Sequence, residues 1–195
     1  GNCVEHKDFI VSPEGFDIPF ESEQIHGIST ALSTKEGSAI NAILADFNTA
    51  LAKSKYIIGH NVKFDVNIIG AELDRLGLDT SVTTTPILDT CTEHTATLCQ
   101  IPGGRGGRFK LPTLSELYKQ LFDDSFDQAH NATADVEATA RAFFELLRRN
   151  KFPANQITDG ELLVSRLNET FEEAVPLIGL SHSDLKAESA KLIQE

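Results

Sequence analysis

The sequence of 195 residues contains no methionine, not even at position 1, although an ordinary chain of this size contains several. We therefore expect the true N-terminus of the protein to lie upstream of Gly1. Cysteine is also scarce. Cys3, Cys91 and Cys99 are odd in number and form no CxxC pair, which argues against a disulfide framework and against a cysteine zinc site. Reduced thiols in a cytoplasmic protein fit this pattern best.

Long apolar runs and basic residues are scarce as well. No run approaches the roughly 20 residues needed to cross a bilayer, and the first residues lack the features of a secretory signal. The 17 Lys and Arg against 29 Asp and Glu give a net charge of −12. This charge argues against a protein that coats duplex nucleic acid, because phosphate binding depends on clustered basic residues. It does not exclude a nuclease, because bound metal ions can reverse the local field of an acidic site.

Short apolar segments alternate with helical periodicities, which is typical of an α/β protein. We expect one globular domain over residues 1–150 and a C-terminal helical extension, residues 151–195, that packs on the same domain. Strands are predicted at 4–11, 56–59 and 86–90, and an extended segment at 16–20. Helices are predicted at about 38–53, 62–76, 92–98, 113–122, 132–149, 160–173 and 184–193.

Two carboxylates lie on helix faces that should be apolar. Asp65 aligns with Ile69 and Leu73, and we expect this face to be buried. Asp135 lies one position from an expected apolar stripe and aligns with Thr139, Ala142 and Leu146. An unpaired carboxylate costs several kcal/mol to bury unless a cation or hydrogen-bond donors compensate. Both acids can also be ordinary first-turn residues, which are common in helices. The expected stripe consists of Val136, Ala140, Phe143, Phe144 and Leu147.

Each acid ends a six-residue segment that begins with His-Asn: residues 60–65 read HNVKFD and residues 130–135 read HNATAD. In this order, and with Ile25-His26-Gly27, Leu88-Asp89-Thr90 and Leu111-Pro112-Thr113, the two segments resemble motifs of the DEDDh, or DnaQ-like, 3′-to-5′ exonucleases. That family includes the epsilon subunit of DNA polymerase III and enzymes of the RNase T type. The resemblance implies a ribonuclease H-like α/β fold, with a mixed central sheet flanked by helices.

The resemblance also implies the chemistry of phosphodiester hydrolysis with two Mg²⁺ or Mn²⁺ ions. It assigns Asp65 and Asp135 as metal ligands and His130 as the general base. A histidine titrates near pH 6.5, which suits a base at neutral pH, although a lone histidine is more often structural. Expected substrates are the 3′ ends of single-stranded DNA or RNA, and an expected partner is a DNA polymerase or another part of a replication assembly.

One part of the family pattern is missing. The family carries Asp-x-Glu on its first strand, and no residues before Asp65 reproduce that motif in a strand. We therefore expect the N-terminal strand to be absent from this sequence, and we favour truncation over a natural pseudoenzyme. Without that motif the chain as printed is expected to be incomplete for activity.

Several side chains are candidates for contacting nucleic acid. His60, Asn61 and Phe64 belong to the HNVKFD segment, and Arg105 and Arg108 lie in a glycine-rich segment where arginine can pair with phosphate. A solvated loop is the simpler interpretation of that segment. Two alternative functions stay open: an RNA-trimming exoribonuclease, and a noncatalytic module that binds nucleic acid or a polymerase if Asp-x-Glu is truly absent.

Overall fold

The computed structural model describes residues 3–126 and 131–152 of the chain. Residues Glu5–Gln156 form one compact unit, and Gly1–Val4 with Ile157–Glu195 form a second. In the second unit the described residues are Cys3 and Val4, both exposed. The helices predicted at about 160–173 and 184–193, and the packing of the 151–195 extension, lie outside the described residues.

The described residues contain seven α-helices and two strands in an α/β arrangement. Two short 3-10 turns, Ser81–Thr83 and Arg105–Gly107, lie in the connections. None of the described helices is both long and apolar enough to cross a bilayer. In chain order the elements are α1 (Phe20–His26), α2 (Thr30–Glu36), α3 (Ile40–Leu51), β1 (Ile57–Gly59), α4 (Val62–Arg75), β2 (Ile87–Asp89), α5 (Glu93–Cys99), α6 (Leu114–Phe122) and α7 (Ala132–Arg148).

The two strands form a parallel pair, with Ile57 opposite Ile87 and Gly59 opposite Asp89. Parallel strands require a crossover connection, and α4 with the Ser81–Thr83 turn provides it. The carboxyl ends of both strands therefore meet at one edge of the sheet. Leu88 in the middle of β2 is fully buried, as expected for a strand covered by helices.

Helices α3 and α4 pack together because each presents an apolar stripe at helical spacing. Their shared core contains Leu44, Leu51, Val62, Val66, Leu73 and Val82. A second packed region joins α6 and α7, where Leu117 and Leu146 are fully buried. Capping boxes begin two of the helices: Thr92 caps α5, and Thr113 caps α6.

The α7 stripe is shifted by one or two positions from the prediction. Val136 is 63% exposed and Ala140 is also exposed, whereas Thr139, Ala142 and Leu146 are buried. Phe143 of the predicted stripe is buried as predicted, and the stripe follows the face on which α7 packs against both α6 and β1. Asp135 therefore lies at the N-terminal end of the buried stripe of α7.

The N-terminal part of the unit differs from the prediction. Residues 4–10 form no strand, and Val11 makes a single parallel bridge with Ser38. The segment predicted to be extended over residues 16–20 ends at Pro19, and α1 begins at Phe20. Helices α1 and α2 were not predicted, because α1 buries no residue and α2 buries only Ser33, so neither has an apolar stripe.

Candidate active site at the strand ends

The turn between β1 and α4 brings the chain sharply back over the strand end. A Cβ on Gly59 would lie 2.6 Å from the Cβ of Val62, so only glycine permits this close approach without a shift. Asn61 precedes α4 in the left-handed conformation, with φ 59° and ψ 37°, and its side chain makes no capping hydrogen bond. The first turn of α4 therefore depends on other residues for its position.

Asp89, the last residue of β2, supports this turn. Its Oδ1 accepts hydrogen bonds from the backbone N–H of Asn61 at 2.9 Å and from that of Cys91 at 2.8 Å. One carboxylate oxygen thus joins the chain after β1 to the chain after β2. This arrangement is possible because the parallel register places Asp89 opposite Gly59.

His60 ties the same turn to a third segment. Its Nε2 lies 3.0 Å from the carbonyl oxygen of Pro112, and its Nδ1 lies 3.0 Å from Oγ1 of Thr90. Because the Pro112 oxygen can only accept, Nε2 must carry a proton, and in the neutral ring Nδ1 accepts from the Thr90 hydroxyl. Burial lowers the pKa of His60, and the Pro112 carbonyl and the charge of Asp89 partly oppose this shift. Both ring nitrogens of His60 therefore have partners within the protein. The contact of His60 with nucleic acid stays a prediction.

Asp65 lies in the first turns of α4 and is exposed, so the prediction that it occupies a buried face is wrong. Its neighbours along the same line are more covered: Ile69 is half-buried and Leu73 is buried. The α3–α4 core contains Val62 and Val66, so the buried stripe of α4 runs beside Asp65 and not through it. Although the residue is exposed, desolvation by surrounding protein raises the pKa of Asp65, a backbone hydrogen bond lowers it, and the nearby charge of Asp89 raises it again.

Other predicted residues lie on the same turn as Asp65. Phe64 is 63% exposed and Asn61 is exposed, so both side chains are accessible to a ligand. Stacking on a nucleobase is one use for an exposed aromatic ring. Their contact with nucleic acid stays a prediction.

Asp135 lies at the start of α7 and is half-buried, next to the Asn131 cap whose side chain accepts from the backbone N–H of Ala134. His130, the predicted general base, lies outside the described residues. Within residues 3–126 and 131–152, no group of three or more His, Cys, Asp or Glu side chains is arranged to hold a metal ion. The carboxylates of Asp65 and Asp135 are nevertheless the oxygen ligands that Mg²⁺ and Mn²⁺ prefer, so the donor type fits.

The glycine-rich segment forms a closed loop over residues 101–110. The backbone N–H of Lys110 donates to the Ile101 carbonyl at 2.8 Å, and a Cβ on Gly104 would lie only 2.3 Å from the Phe109 carbonyl oxygen. Arg108 is exposed and contacts Glu93 at 3.3 Å. Arg105 is exposed, so its guanidinium can reach a ligand, and its role in binding nucleic acid stays a prediction.

The family of this chain follows from its similarity to known proteins. The sequence profile described as "Exonuclease" matches residues 2–143. The chain belongs to the exonuclease family. The DNA polymerase III subunit epsilon of Rickettsia conorii is 31% identical over 139 residues, which cover 71% of this chain and 56% of that protein. The 3′-5′ exonuclease DinG of Bacillus subtilis is 30% identical over 151 residues, covering 76% of this chain and 14% of that protein.

A similar match of 28% identity is found with the PolC-type DNA polymerase III of Streptococcus thermophilus, covering 86% of this chain and 10% of that protein. The exonuclease chain spans about half the length of the epsilon subunits that it matches. Membership of this family confirms the DnaQ-like resemblance and assigns the chain to the hydrolytic nucleases. Exonucleases of this type generally use divalent metal ions.

The family pattern in the sequence includes Leu88-Asp89-Thr90, but it predicted no role for Asp89. Two signals were present: an acid at the end of a buried strand, and a His-Asn pair at the end of the preceding strand. Only the strand register, which the sequence does not reveal, places that acid against the backbone of Asn61.

Proposed function

We propose that this chain is the catalytic domain of a metal-dependent 3′-to-5′ exonuclease of ribonuclease H-like fold, acting on the 3′ ends of single-stranded DNA or RNA. Asp65 carries the proposal. It is an exposed acid at the carboxyl end of a parallel strand pair, on the same turn as an exposed Phe64. Ligands in open α/β sheets bind at this end of the strands. The relatives named above are a DNA polymerase III epsilon subunit, a PolC-type DNA polymerase III and a 3′-5′ exonuclease, which favours proofreading or repair.

In this proposal each residue has a distinct task. Asp65 and Asp135 hold the divalent ions, and Phe64 and Asn61 contact the terminal nucleotide. His130 takes the proton of the attacking water, a role that follows from its place in the HNATAD segment. When bound, a pair of Mg²⁺ or Mn²⁺ ions supplies an activated water and stabilises the leaving oxygen. Arg105, whose side chain is exposed, contacts the phosphate backbone beyond the terminal nucleotide in this proposal.

The test is digestion of a 5′-labelled single strand by the full-length protein with and without Mg²⁺ or Mn²⁺. We expect Asp65→Asn, Asp135→Asn and His130→Ala each to lower kcat by about 100-fold or more, because general-base and metal-ligand groups contribute on that scale. Asp74→Asn is the matched control, because Asp74 is an exposed acid on the same helix as Asp65. A ladder that forms without metal, or that all three variants produce at the wild-type rate, contradicts the proposal.

One observation favours a noncatalytic module as the second candidate. The residues before Asp65 do not reproduce the Asp-x-Glu motif of the family in a strand. Such a module binds single-stranded nucleic acid or a polymerase without cleaving it. Retention of a labelled strand without shortening, in the full-length protein with Mn²⁺ present, is its expected result. Matched DNA and RNA strands in the same assay distinguish a proofreading enzyme from an RNA-trimming enzyme, because the 2′-hydroxyl separates the two substrates.

A further inference from the structure

We infer that Asp89 is a positioning residue that fixes the turn presenting Asp65, although Asp89 itself contacts neither substrate nor ion. The inference rests on the proposed function for its catalytic consequence. Its structural part stands on the hydrogen bonds of Asp89 alone.

The first argument is that α4 begins without a cap of its own. Asn61 occupies the left-handed region, which is unfavourable for a residue with a side chain unless its surroundings hold it there. Its side chain makes no capping hydrogen bond. The bond from its N–H to Asp89 is therefore the contact that holds this conformation from outside the helix.

The second argument is that the support comes from a distant part of the chain. Asn61 and Asp89 are 28 residues apart, whereas the bond from Cys91 to the same oxygen is local. Because Oδ1 receives both N–H groups, a shift of β2 is transmitted to the start of α4, and Asp65 lies one turn further along that helix.

The third argument is that the turn is held from its other side as well. His60 contacts Pro112, which is buried, and Thr90, which is fully buried. The Thr90 N–H donates to the Gly59 carbonyl at 2.9 Å, and the Thr90 hydroxyl oxygen lies 3.0 Å from the same carbonyl. The turn of residues 59–61 is thus fixed at Gly59 and His60, and Asp89 fixes the one remaining residue before α4.

The experiment compares Asp89→Asn with Asp89→Ala. Asparagine keeps an oxygen that accepts both N–H groups but removes the charge, whereas alanine removes the acceptor. Asp79→Ala is the matched control, because Asp79 Oδ1 also accepts a backbone N–H, from Ser81 at 3.1 Å, away from the strand ends. Two readouts are made on the full-length protein: hydrogen exchange of the Asn61 and Cys91 amides, and kcat and KM on a labelled strand.

We expect Asp89→Ala to speed exchange of both amides by about ten-fold or more and to lower kcat by about ten-fold, with KM within about three-fold of the wild type. Asp89→Asn and Asp79→Ala should match the wild type within about three-fold in both readouts. Unchanged amide exchange in Asp89→Ala overturns the inference, whatever the nuclease assay gives. So does an Asp89→Asn variant as inactive as Asp89→Ala, because the charge would then matter rather than the hydrogen bonds.

The two readouts also separate this inference from the proposed function. If the wild type cleaves no strand but the amides respond as expected, the exonuclease proposal is wrong and the turn is still fixed by Asp89. If the wild type cleaves normally and the amides do not respond, the exonuclease proposal stands and the positioning role is wrong.

Discussion

Replacing Gly59 by alanine tests how closely the first turn of α4 approaches the end of β1. The added Cβ would lie 2.6 Å from the Cβ and 2.7 Å from the Cγ2 of Val62. Favourable carbon contacts are about 3.5–4.0 Å long, so α4 would have to move by roughly 1 Å. Truncating Val62 to alanine does not relieve this strain, because the nearer atom is its Cβ.

The expected change in the free energy of unfolding follows from two opposing effects. Overpacking of this kind costs about 1–3 kcal/mol, and replacing glycine by alanine stabilises by about 0.4–1 kcal/mol through the unfolded chain. We therefore expect Gly59→Ala to lower the free energy of unfolding by about 1–2 kcal/mol. If the exonuclease proposal holds, kcat should also fall by about ten-fold or more, because a shift of about 1 Å in a catalytic group can cost 100-fold.

Gly70→Ala, in the interior of the same helix, is the matched control. Its Cβ would lie 2.9 Å from the methyl group of Thr83, a side chain on an exposed turn that can move. Alanine also raises helix propensity by about 1 kcal/mol there. Urea denaturation measures both variants. If Gly59→Ala is as stable as Gly70→Ala, the close approach at the strand end does not constrain the turn, and the reasoning is refuted.

Two further predictions concern titrating groups. Burial raises the pKa of Cys91 to about 11, so at pH 8 maleimide should modify the exposed Cys3 at least ten-fold faster than Cys91, as followed by mass spectrometry; equal rates contradict this. The guanidinium groups of Arg148 and Arg149 lower the pKa of Glu145 from 4.5 to about 2, so its stabilisation is complete above pH 4.5 and is lost toward pH 2. Glu145→Gln should therefore cost on the order of 1 kcal/mol of unfolding free energy at pH 6, discounted for partial exposure, and less at pH 3; a constant difference would refute the assignment.

The elements with an apolar stripe could be predicted from sequence, and the others could not. Helix α4 was expected over about 62–76 and spans Val62–Arg75, and α6 and α7 agree equally well. The short strands β1 and β2 were also found, because continuous apolar runs bounded by turn residues are typical of buried parallel strands. Helices α1 and α2 bury almost no side chains, so capping residues and Gly27 were the only signals of where they begin and end.

The candidate site was predicted in part, for a related reason. The sequence predicted that Asp65 lies on a helix. Helical spacing also correctly aligned Asp135 with the buried Thr139 and Ala142. Spacing could not tell whether the line through Asp65 is covered, because coverage depends on which neighbouring elements pack against that line. The part played by Asp89 depends on strand register, which arises from packing between segments distant in sequence.

Because Gly59 pairs with Asp89, the crossover and strand β2 differ in how well they tolerate an inserted residue. The exposed stretch around Thr83–Thr84 can accept an added residue, because it ends before β2 and its turn can widen. A residue added inside β2 would instead rotate every later strand side chain to the opposite face of the sheet. Leu88 would then lose its interior position and Asp89 would turn away from Asn61. Loop grafting in this protein should therefore be confined to the crossover, with the three-residue strands left intact.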